Sequence, residues 1–435
     1  MIGLNIFIDP VLRAPIIGAM LMCLSASLVG VIVFVRKSSL LGEALSHAAY
    51  PGVTGAIVLT GILSLHEIPP FLIFFGAACS SIIGFFLINF LEKKVRVSSD
   101  ASLCFALAFS FGIGITIASY AQNFYTAHFR QIQNYLYGQV ATMTDQHILI
   151  YAILAFVVIS SITIFYKEIL AVSFDGSFAK TSGIASSLIN LLFLSLVVAA
   201  VVIGIRSVGV ILMSAMLIAP AAAARQFTNY LSRIFIISGL FGIFSGYFGT
   251  YLSLIFNGIP TGPLIVLISG VIAFYALFFA PERGLFVRYW RALKFRNLQM
   301  QENLLKLIWR ISMEGRKKLS FVSIFREQGA SFFQTYLLLL RLRLHRWLEK
   351  NGSDYQLTIL GINKSRQIIR LHRLWEVYLV NALGLGVERV HKSAEEMEHI
   401  LTPELERELT KFLDDPKYDP HDQPIPSGQE VIDHG

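Results

Sequence analysis

The chain has 435 residues, of which 55% are hydrophobic and only 15% are charged, and its mean hydropathy is +0.63. Soluble domains carry about 25% charged residues, so this composition excludes a single soluble globule, a disordered chain and a disulfide scaffold. The charge is also uneven, because residues 1–282 contain 21 charged residues whereas residues 283–435 contain 43. This shift predicts a membrane domain followed by a soluble domain.

Nine apolar runs approach the length of about 20 residues that a helix needs to cross ~30 Å of hydrocarbon. They cover residues 14–35, 48–65, 70–91, 101–121, 146–166, 186–205, 207–224, 233–256 and 263–281. Only Arg206 separates the sixth run from the seventh, so we expect an all-α polytopic domain with eight or nine spanning helices. The first run is too long for the apolar region of a cleavable signal.

Lysine and arginine follow every odd-numbered run, beginning with Arg36 and Lys37 after the first. Because positive charge marks the cytoplasmic ends of spanning helices, we expect the N-terminus outside and the soluble C-terminal domain in the cytoplasm.

Glu43 and His47 stand between the first and second runs, four residues apart. On a helix they share one face, and a carboxylate with an imidazole suits a divalent transition metal such as Mn²⁺, Fe²⁺ or Zn²⁺. Ionisable groups in a membrane region are functional candidates. A polar helix start at the membrane surface is the alternative interpretation.

Two further segments combine polarity with small residues. Residues 208–225 contain Pro220 within a helix of small residues, which indicates close helix packing or a water-filled path. Residues 173–184 are polar and lie on the expected cytoplasmic side, which is typical of a short docking helix or of an ordinary loop.

Together these three segments resemble the integral-membrane subunit of ABC transporters for manganese, zinc or iron. Gly42-Glu43-Ala44-Leu45-Ser46-His47-Ala48 resembles the family's Gly-Asp-Ala-Leu-Ser-His-Ala element, with Glu in place of Asp. Phe174, Asp175, Ala179 and Gly183 match its cytoplasmic element, and Val208 to Arg225 match its Pro-containing helix. The resemblance implies that Glu43 and His47 line the metal path, and that Asp175, Ala179 and Gly183 couple the chain to an ATPase.

The sequence contains no Gly-x-x-x-x-Gly-Lys-Ser/Thr phosphate loop. We therefore expect the chain not to be an enzyme itself and ATP hydrolysis to occur on a separate cytoplasmic subunit. The resemblance also implies an extracytoplasmic metal-binding protein and a second permease subunit, the same or paralogous, in a bacterial cytoplasmic membrane.

The soluble part begins with helical patterns. Residues 299–311 and 321–328 predict two helices, and Ser331 is a candidate N-cap for a third that extends to Glu349. Asn351-Gly352 predicts a turn and residues 355–360 a strand. This outline is that of a winged helix-turn-helix. Candidate DNA contacts are Gln334, Thr335, Arg341 and Arg343, and the alternative is a basic bundle that binds lipid or the ATPase.

Histidine and glutamate then recur at helical spacing. His372 and Glu376 are four residues apart, and a second helix carries one stripe of such residues, namely His391, Glu395, Glu398 and His399. Imidazole and carboxylate ligands facing each other predict a site for a divalent transition metal. A charged, solvated helix face is the alternative.

This C-terminal half resembles the metal-dependent repressors of the diphtheria-toxin-repressor and manganese-repressor type. The match rests on Leu371 to Glu376, Val390 to His399 and Asp419 to Pro426. It implies one metal site from His372, Glu376 and His391, and a second that includes Glu395, Glu398 and His399. Asn303 and Lys306 stand where the family supplies further ligands, so we expect weaker binding there.

The two resemblances in series are typical of chlamydial-type permease–repressor fusions. The expected domains are a permease at 1–282, a basic linker at 283–298, a winged helix-turn-helix at 299–362, metal-binding and dimerisation helices at 363–426, and a tail at 427–435. We expect a permease for divalent Mn, Fe or Zn that carries a metal sensor. The alternatives are a tethered or released regulator that reads operator DNA, and a C-terminal domain that gates transport.

Overall fold

A computed structural model describes residues 10–63, 70–124, 126–140, 143–256, 259–313, 319–329, 331–397 and 402–427. The chain forms two compact units, Met1–Arg288 and Tyr289–Gly435. Each unit has its own apolar core.

The described part of the first unit is helical. Its helices are α1 (Pro10–Val35), α2 (Ser39–Ile62), α3 (Pro70–Phe90), α4 (Ser99–Phe124), α5 (Thr126–Tyr137), α6 (Asp145–Ile164), α7 (Tyr166–Phe174), α8 (Gly176–Thr181), α9 (Ser186–Val208), α10 (Val210–Phe227), α11 (Leu231–Ile255) and α12 (Thr261–Phe279).

Eight of these helices are long and apolar enough to cross a membrane, namely α1, α3, α4, α6, α9, α10, α11 and α12. The helix α2 is 24 residues long but more polar, and it contains Glu43 and His47. The expectation of eight or nine spanning helices is thus consistent with the fold. The sixth and seventh runs form separate helices, but the break lies at Gly209 and not at Arg206, which belongs to α9. Gly209 has φ +94°, a conformation that ends a helix and that residues with side chains rarely adopt.

Small residues bring the membrane helices into close contact. A Cβ atom on Gly52 of α2 would lie 2.0 Å from the carbonyl oxygen of Gly76 on α3, and one on Gly246 of α11 would lie 2.8 Å from that of Ala19 on α1. Such approaches are possible only without side chains, and they maximise packing between helices in lipid. The approach at Gly52 packs α2 tightly against α3, and α2 is the helix with the candidate metal ligands.

The second unit begins with a winged helix-turn-helix outline. Its elements are α13 (Leu285–Met313), which starts just before the unit's first residue, β1 (Leu319–Ser320), α14 (Phe321–Gln328), α15 (Phe332–Leu344), β2 (Leu348–Asn351) and β3 (Asp354–Leu357). The three strands form an antiparallel sheet in the order β1-β3-β2, with Leu348 opposite Leu357 and Leu319 opposite Tyr355.

The predicted extension of the third helix to Glu349 is wrong. The helix α15 begins after Ser331, whose hydroxyl accepts a hydrogen bond from the Gln334 amide as expected of an N-cap. It ends at Leu344, because Arg346 takes φ +58° and Leu348 enters the sheet. The predicted strand at 355–360 is shorter, since α16 already begins at Ile359.

Three helices complete the unit, namely α16 (Ile359–Asn381), α17 (Val387–Met397) and α18 (Pro403–Phe412). The C-terminal segment then folds back on α16. Arg370 is 6% exposed and donates to the carbonyl oxygen of Pro426 at 2.7 Å, and it also pairs with Glu406 at 3.3 Å. These contacts fix the segment that contains Asp419 and His421 against α16.

Candidate metal-binding sites

The first candidate site lies on α2. A tight turn precedes this helix, in which Lys37 takes φ +56°, and Glu43 and His47 then follow in its first turns. Glu43 is half-buried, whereas His47 is only 8% exposed. The ring of Phe111 on α4 contacts the His47 ring edge to face, with centroids 4.8 Å apart. Packing therefore fixes the imidazole.

One buried nitrogen of His47 has no hydrogen-bond partner among the residues that the structure describes. Among the described residues no hydrogen-bond partner reaches Nδ1, although the atom is buried. Buried polar atoms are nearly always paired, since an unpaired one costs free energy. A metal ion is a partner that this nitrogen can accept, and the Glu43 carboxylate one turn earlier offers an oxygen ligand of the kind that Mn²⁺, Fe²⁺ and Zn²⁺ use.

The predicted coupling residues shape a short exposed helix, α8. Asp175 caps it, because its carboxylate accepts hydrogen bonds from the backbone amides of Phe178 at 2.9 Å and Ser177 at 3.0 Å. These bonds lower the pKa of Asp175. Ala179 is fully buried beneath the helix, and Gly183 follows it with φ +78°. The three residues therefore shape α8: Asp175 caps its start, Ala179 packs beneath it and Gly183 follows its end.

Two exposed aromatic side chains lie on either side of Asp175. Phe174 at the end of α7 is 69% exposed, and Phe178 of α8 is 60% exposed. Exposed aromatic side chains are typical anchors of protein interfaces. The sequence analysis did not single out Phe178 as a contact, although its place inside a polar, Asp-capped segment is a usable signal.

The second candidate site joins α16 and α17. Oε1 of Glu376 lies 2.9 Å from Nδ1 of His391 and 3.2 Å from Nε2 of His372, and the two histidine nitrogens are 3.1 Å apart. Three ligand atoms about 3 Å from one another have the spacing expected around a single ion with bonds of about 2.0–2.2 Å. The structure therefore brings the predicted trio His372, Glu376 and His391 together.

Glu376 is held in its ionised form. Burial raises its pKa, but hydrogen bonds from His372 and His391 and their charge have the opposite effect, and the net result is a pKa of about 2. The side chain is 2% exposed. A buried carboxylate that is charged at neutral pH is a strong ligand for a divalent cation.

Asp419 and His421 join this centre, which the sequence analysis did not predict. Nδ1 of His421 lies 3.7 Å from Oε2 of Glu376, and Glu376, Asp419 and His421 form a second group of possible ligands. Asp419 accepts hydrogen bonds from the amides of His421 and Gln423, each at 2.8 Å. The available signal was the acid-x-His spacing of Asp419 and His421.

A cavity of about 660 Å³ opens onto this centre. Asn303 and Lys306 of α13 and Glu395 of α17 lie on its wall beside the His372 cluster. The structure thus places Glu395 of the predicted second site at the same cavity as the two first-helix positions Asn303 and Lys306. Glu395 is exposed, and Lys306 contributes a positive charge. Glu398 and His399 lie outside the described residues.

The predicted DNA-binding residues are only partly on the surface. Gln334 and Arg343 are exposed and Arg341 is half-buried. Thr335 is fully buried, and its hydroxyl donates to the carbonyl oxygen of Ser331 at 3.1 Å. Thr335 therefore contributes to the core, which corrects its assignment as a DNA contact.

A multi-pass membrane bundle with a buried histidine beside a half-buried glutamate, followed by a unit with a histidine–carboxylate centre, defines a membrane transport subunit with an attached metal-binding domain. Residues 8–280 match the ABC 3 transport family, and the chain belongs to this family. Residues 358–427 match the metal binding and dimerisation domain of iron dependent repressors.

Similar proteins agree with this assignment. A probable metal transport system membrane protein of Chlamydia pneumoniae is 36% identical over 98% of this chain and 99% of its own length. The manganese transport system membrane protein of Bacillus subtilis is 33% identical over 85% of this chain and 84% of its own. The structure of PsaBC from Streptococcus pneumoniae in complex with Fab has a TM-score of 0.57 and 27% identity, and it covers 66% of this chain and 97% of that one.

Proposed function

We propose that the chain imports a divalent transition metal, Mn²⁺, Zn²⁺ or Fe²⁺, and that Glu43 and His47 bind the ion transiently on its way. The buried Nδ1 of His47, which has no partner among the described residues, is the observation that carries this proposal. Two relatives support the class of cargo, since one is a manganese transport system membrane protein of Bacillus subtilis and another a zinc transport system membrane protein of Treponema pallidum.

The transport cycle needs other chains. A cytoplasmic ATPase supplies the energy and docks on α8, an extracytoplasmic protein delivers the ion, and a second permease subunit completes the path. The exposed Phe174 and Phe178 support α8 as the docking element. Basic residues after the odd-numbered apolar runs support a cytoplasmic location for both α8 and the C-terminal unit.

The C-terminal unit senses the same metal in the cytoplasm. His372, Glu376, His391, Asp419 and His421 provide imidazole and carboxylate ligands, which suit Mn²⁺, Fe²⁺ or Zn²⁺. Arg373 pairs with Asp419 at 3.4 Å and so orients one of the ligands from outside the centre. Asn303 has no charge to offer, so binding at the α13 side of the cavity is weak and responds only to abundant metal.

Uptake into vesicles tests the import function. The full chain is reconstituted with its ATPase and binding protein, and ⁵⁴Mn²⁺ or ⁶⁵Zn²⁺ uptake is measured on ATP addition. Glu43→Ala and His47→Ala should each abolish uptake without loss of membrane insertion. Glu92→Ala and His147→Ala are the matched controls, because they remove the same residue types from other helix ends. Normal uptake by both α2 variants would exclude the pair from the mechanism.

DNA binding is a second function of the C-terminal unit. The helix-turn-helix outline of α14 and α15, the wing of β2 and β3, and the exposed Gln334 and Arg343 support it. Immunoblotting of cells with an antibody to the C-terminus distinguishes a released regulator, which gives a short band, from a gate, which stays in the full chain. Mobility shifts with the upstream DNA of the transporter genes then test operator binding, which a pure gate lacks.

A further inference from the structure

The first turns of α13 carry an apolar stripe whose members are exposed, apart from the half-buried Leu293. At about 100° per residue, its members fall within an arc of about 140°. They are Leu285, Phe286, Tyr289, Trp290 and Leu293. Tyr289 and Trp290 are each 62% exposed. Large aromatic residues in this number on one exposed face are unusual for a soluble surface.

The opposite face of the same turns is basic. Arg288, Arg291 and Lys294 fall within an arc of about 120° on the other side of the helix, and all three are exposed. Residues 283–301 contain five basic residues and no acidic one. A helix with one aromatic face and one cationic face is typical of a helix that lies in the interface of an anionic bilayer.

A cleft beside the basic face adds a place for an anionic group. Its volume is about 760 Å³, and its wall includes Arg291 and Lys294 of α13 together with Arg341 and His345 from the end of α15. Most of the lining is apolar, and the three cations and the histidine among the lining residues add a favourable potential for phosphate groups. Apolar contacts come from Trp290 and Leu298 on the same wall.

The position in the chain decides which anionic partner fits. The last spanning helix ends at Phe279, and α13 begins at Leu285, so only five residues separate them. Such a short connection keeps these turns near the bilayer surface. Nucleic acid can bind the basic face but leaves the exposed ring of Tyr289 in water. A bilayer interface binds the basic face through its headgroups and buries the aromatic face among its acyl chains.

We propose that the first turns of α13 lie in the bilayer interface, with the aromatic face among the acyl chains and the basic face and cleft on anionic phospholipid headgroups. The inference depends on the proposed function only for the choice of the cytoplasmic leaflet. Arg341 lines the cleft and is also a candidate DNA contact. Anionic lipid and DNA therefore compete for binding to the C-terminal unit.

Nitroxide labels on the full chain test this arrangement. Cys79 and Cys104 are replaced by Ser, and Cys23 is kept because it is 0% exposed and does not react. Tyr289→Cys labels the aromatic face and Lys294→Cys the basic face. The chain is reconstituted in phosphatidylcholine vesicles with or without phosphatidylglycerol, and the accessibility of each label to oxygen and to a water-soluble nickel chelate is measured.

With phosphatidylglycerol present, we expect the label at 289 to favour oxygen and the label at 294 to favour nickel. The double variant Arg288→Glu and Arg291→Glu should make the label at 289 favour nickel instead of oxygen. The control is the double variant Arg366→Glu and Lys411→Glu, which reverses two exposed charges elsewhere in the C-terminal unit and should leave the label at 289 favouring oxygen. Equal access of nickel to both labels would overturn the proposal. Protection at 289 only after addition of duplex DNA would assign the face to nucleic acid instead. Metal uptake by the same vesicles reports separately on the import function.

Discussion

Arg36 donates a hydrogen bond from Nη1 to Oδ1 of Asn190 at 2.8 Å, across 154 positions of the sequence. Its Nε also donates to Oγ of Ser173 at 3.3 Å, and its guanidinium lies 4.3 Å from the ring centroid of Phe193. Ser173 lies in α7, shortly before the candidate docking helix α8, and Arg36 lies just before α2. One side chain thus connects the candidate ATPase contact with the helix that carries Glu43 and His47.

Replacement of Arg36 should uncouple ATP hydrolysis from metal uptake. Hydrogen bonds from a charged group contribute about 1.5–3 kcal/mol each, so loss of both in Arg36→Ala is expected to reduce uptake by at least about tenfold. ATP hydrolysis should persist, since α8 itself is unchanged. Both rates are measured in the same vesicles, with Lys37→Gln as the neighbouring control. Parallel loss of hydrolysis and uptake would instead mean that Arg36 maintains the docking surface.

Removal of the exposed ring at α8 should weaken ATPase binding. Phe178→Ala is expected to weaken binding of the ATPase by about 30-fold or more, seen as loss of co-purification, because a buried aromatic anchor at an interface contributes about 2 kcal/mol or more. The fold of the chain should be unaffected, since Phe178 is 60% exposed. Phe124→Ala provides the control. Phe124 is also a strongly exposed phenylalanine (68%), but it lies at the end of α4, away from α8 in the sequence. Full co-purification of the Phe178 variant would place the docking surface elsewhere.

The sequence predicted the helices of the membrane domain well, because an apolar run long enough to cross the bilayer must pair its backbone groups internally and therefore forms a helix. Helical spacing predicted the pair at 372 and 376 and the stripe that includes His391, and the resemblance to metal-dependent repressors implied that 372, 376 and 391 form one site. The contribution of Asp419 and His421 was missed. It depends on how the C-terminal segment folds back through Arg370 and Arg373, which is a tertiary contact that no local pattern encodes.

Two further errors have the same physical origin. The run from Ser331 to Glu349 has a continuous helical pattern, but pairing of β2 with β3 gives its last residues a better set of hydrogen bonds as a strand. Thr335 was assigned to DNA by its match to a recognition helix, yet the apolar stretch that includes Leu338, Leu339 and Leu342 turns that face of α15 into the core.

Loss of His421 should weaken metal binding by the C-terminal unit. His421→Ala removes an imidazole 3.7 Å from Glu376, and we expect the Kd for Mn²⁺ or Zn²⁺ to rise by about 10–100-fold, as for removal of other groups that support a metal centre. Titration calorimetry on the full chain in detergent measures it. His345→Ala is the control, because His345 is an exposed histidine outside the cluster. An unchanged Kd would restrict the site to His372, Glu376 and His391.

The pKa of Glu376 predicts how the metal-free C-terminal unit responds to acid. Its pKa is about 2 in the folded chain and 4.5 ordinarily, so the unfolded chain binds the proton more tightly. The stabilisation is therefore complete above pH 4.5 and is lost as the pH falls toward 2. Hydrogen exchange of the α16 amides, corrected for the intrinsic rate, should show less protection across this window.

Glu376→Gln should flatten that part of the profile, because the amide does not titrate. Glu404→Gln is the matched control, since Glu404 is an exposed carboxylate of the same unit, and its profile should follow the unaltered chain. The two histidine partners lose their ionised acceptor in Glu376→Gln, so α16 should also be less protected at neutral pH. If the Glu376 variant kept the full acid dependence, other carboxylates would be responsible and Glu376 would not be the ionised centre of the cluster.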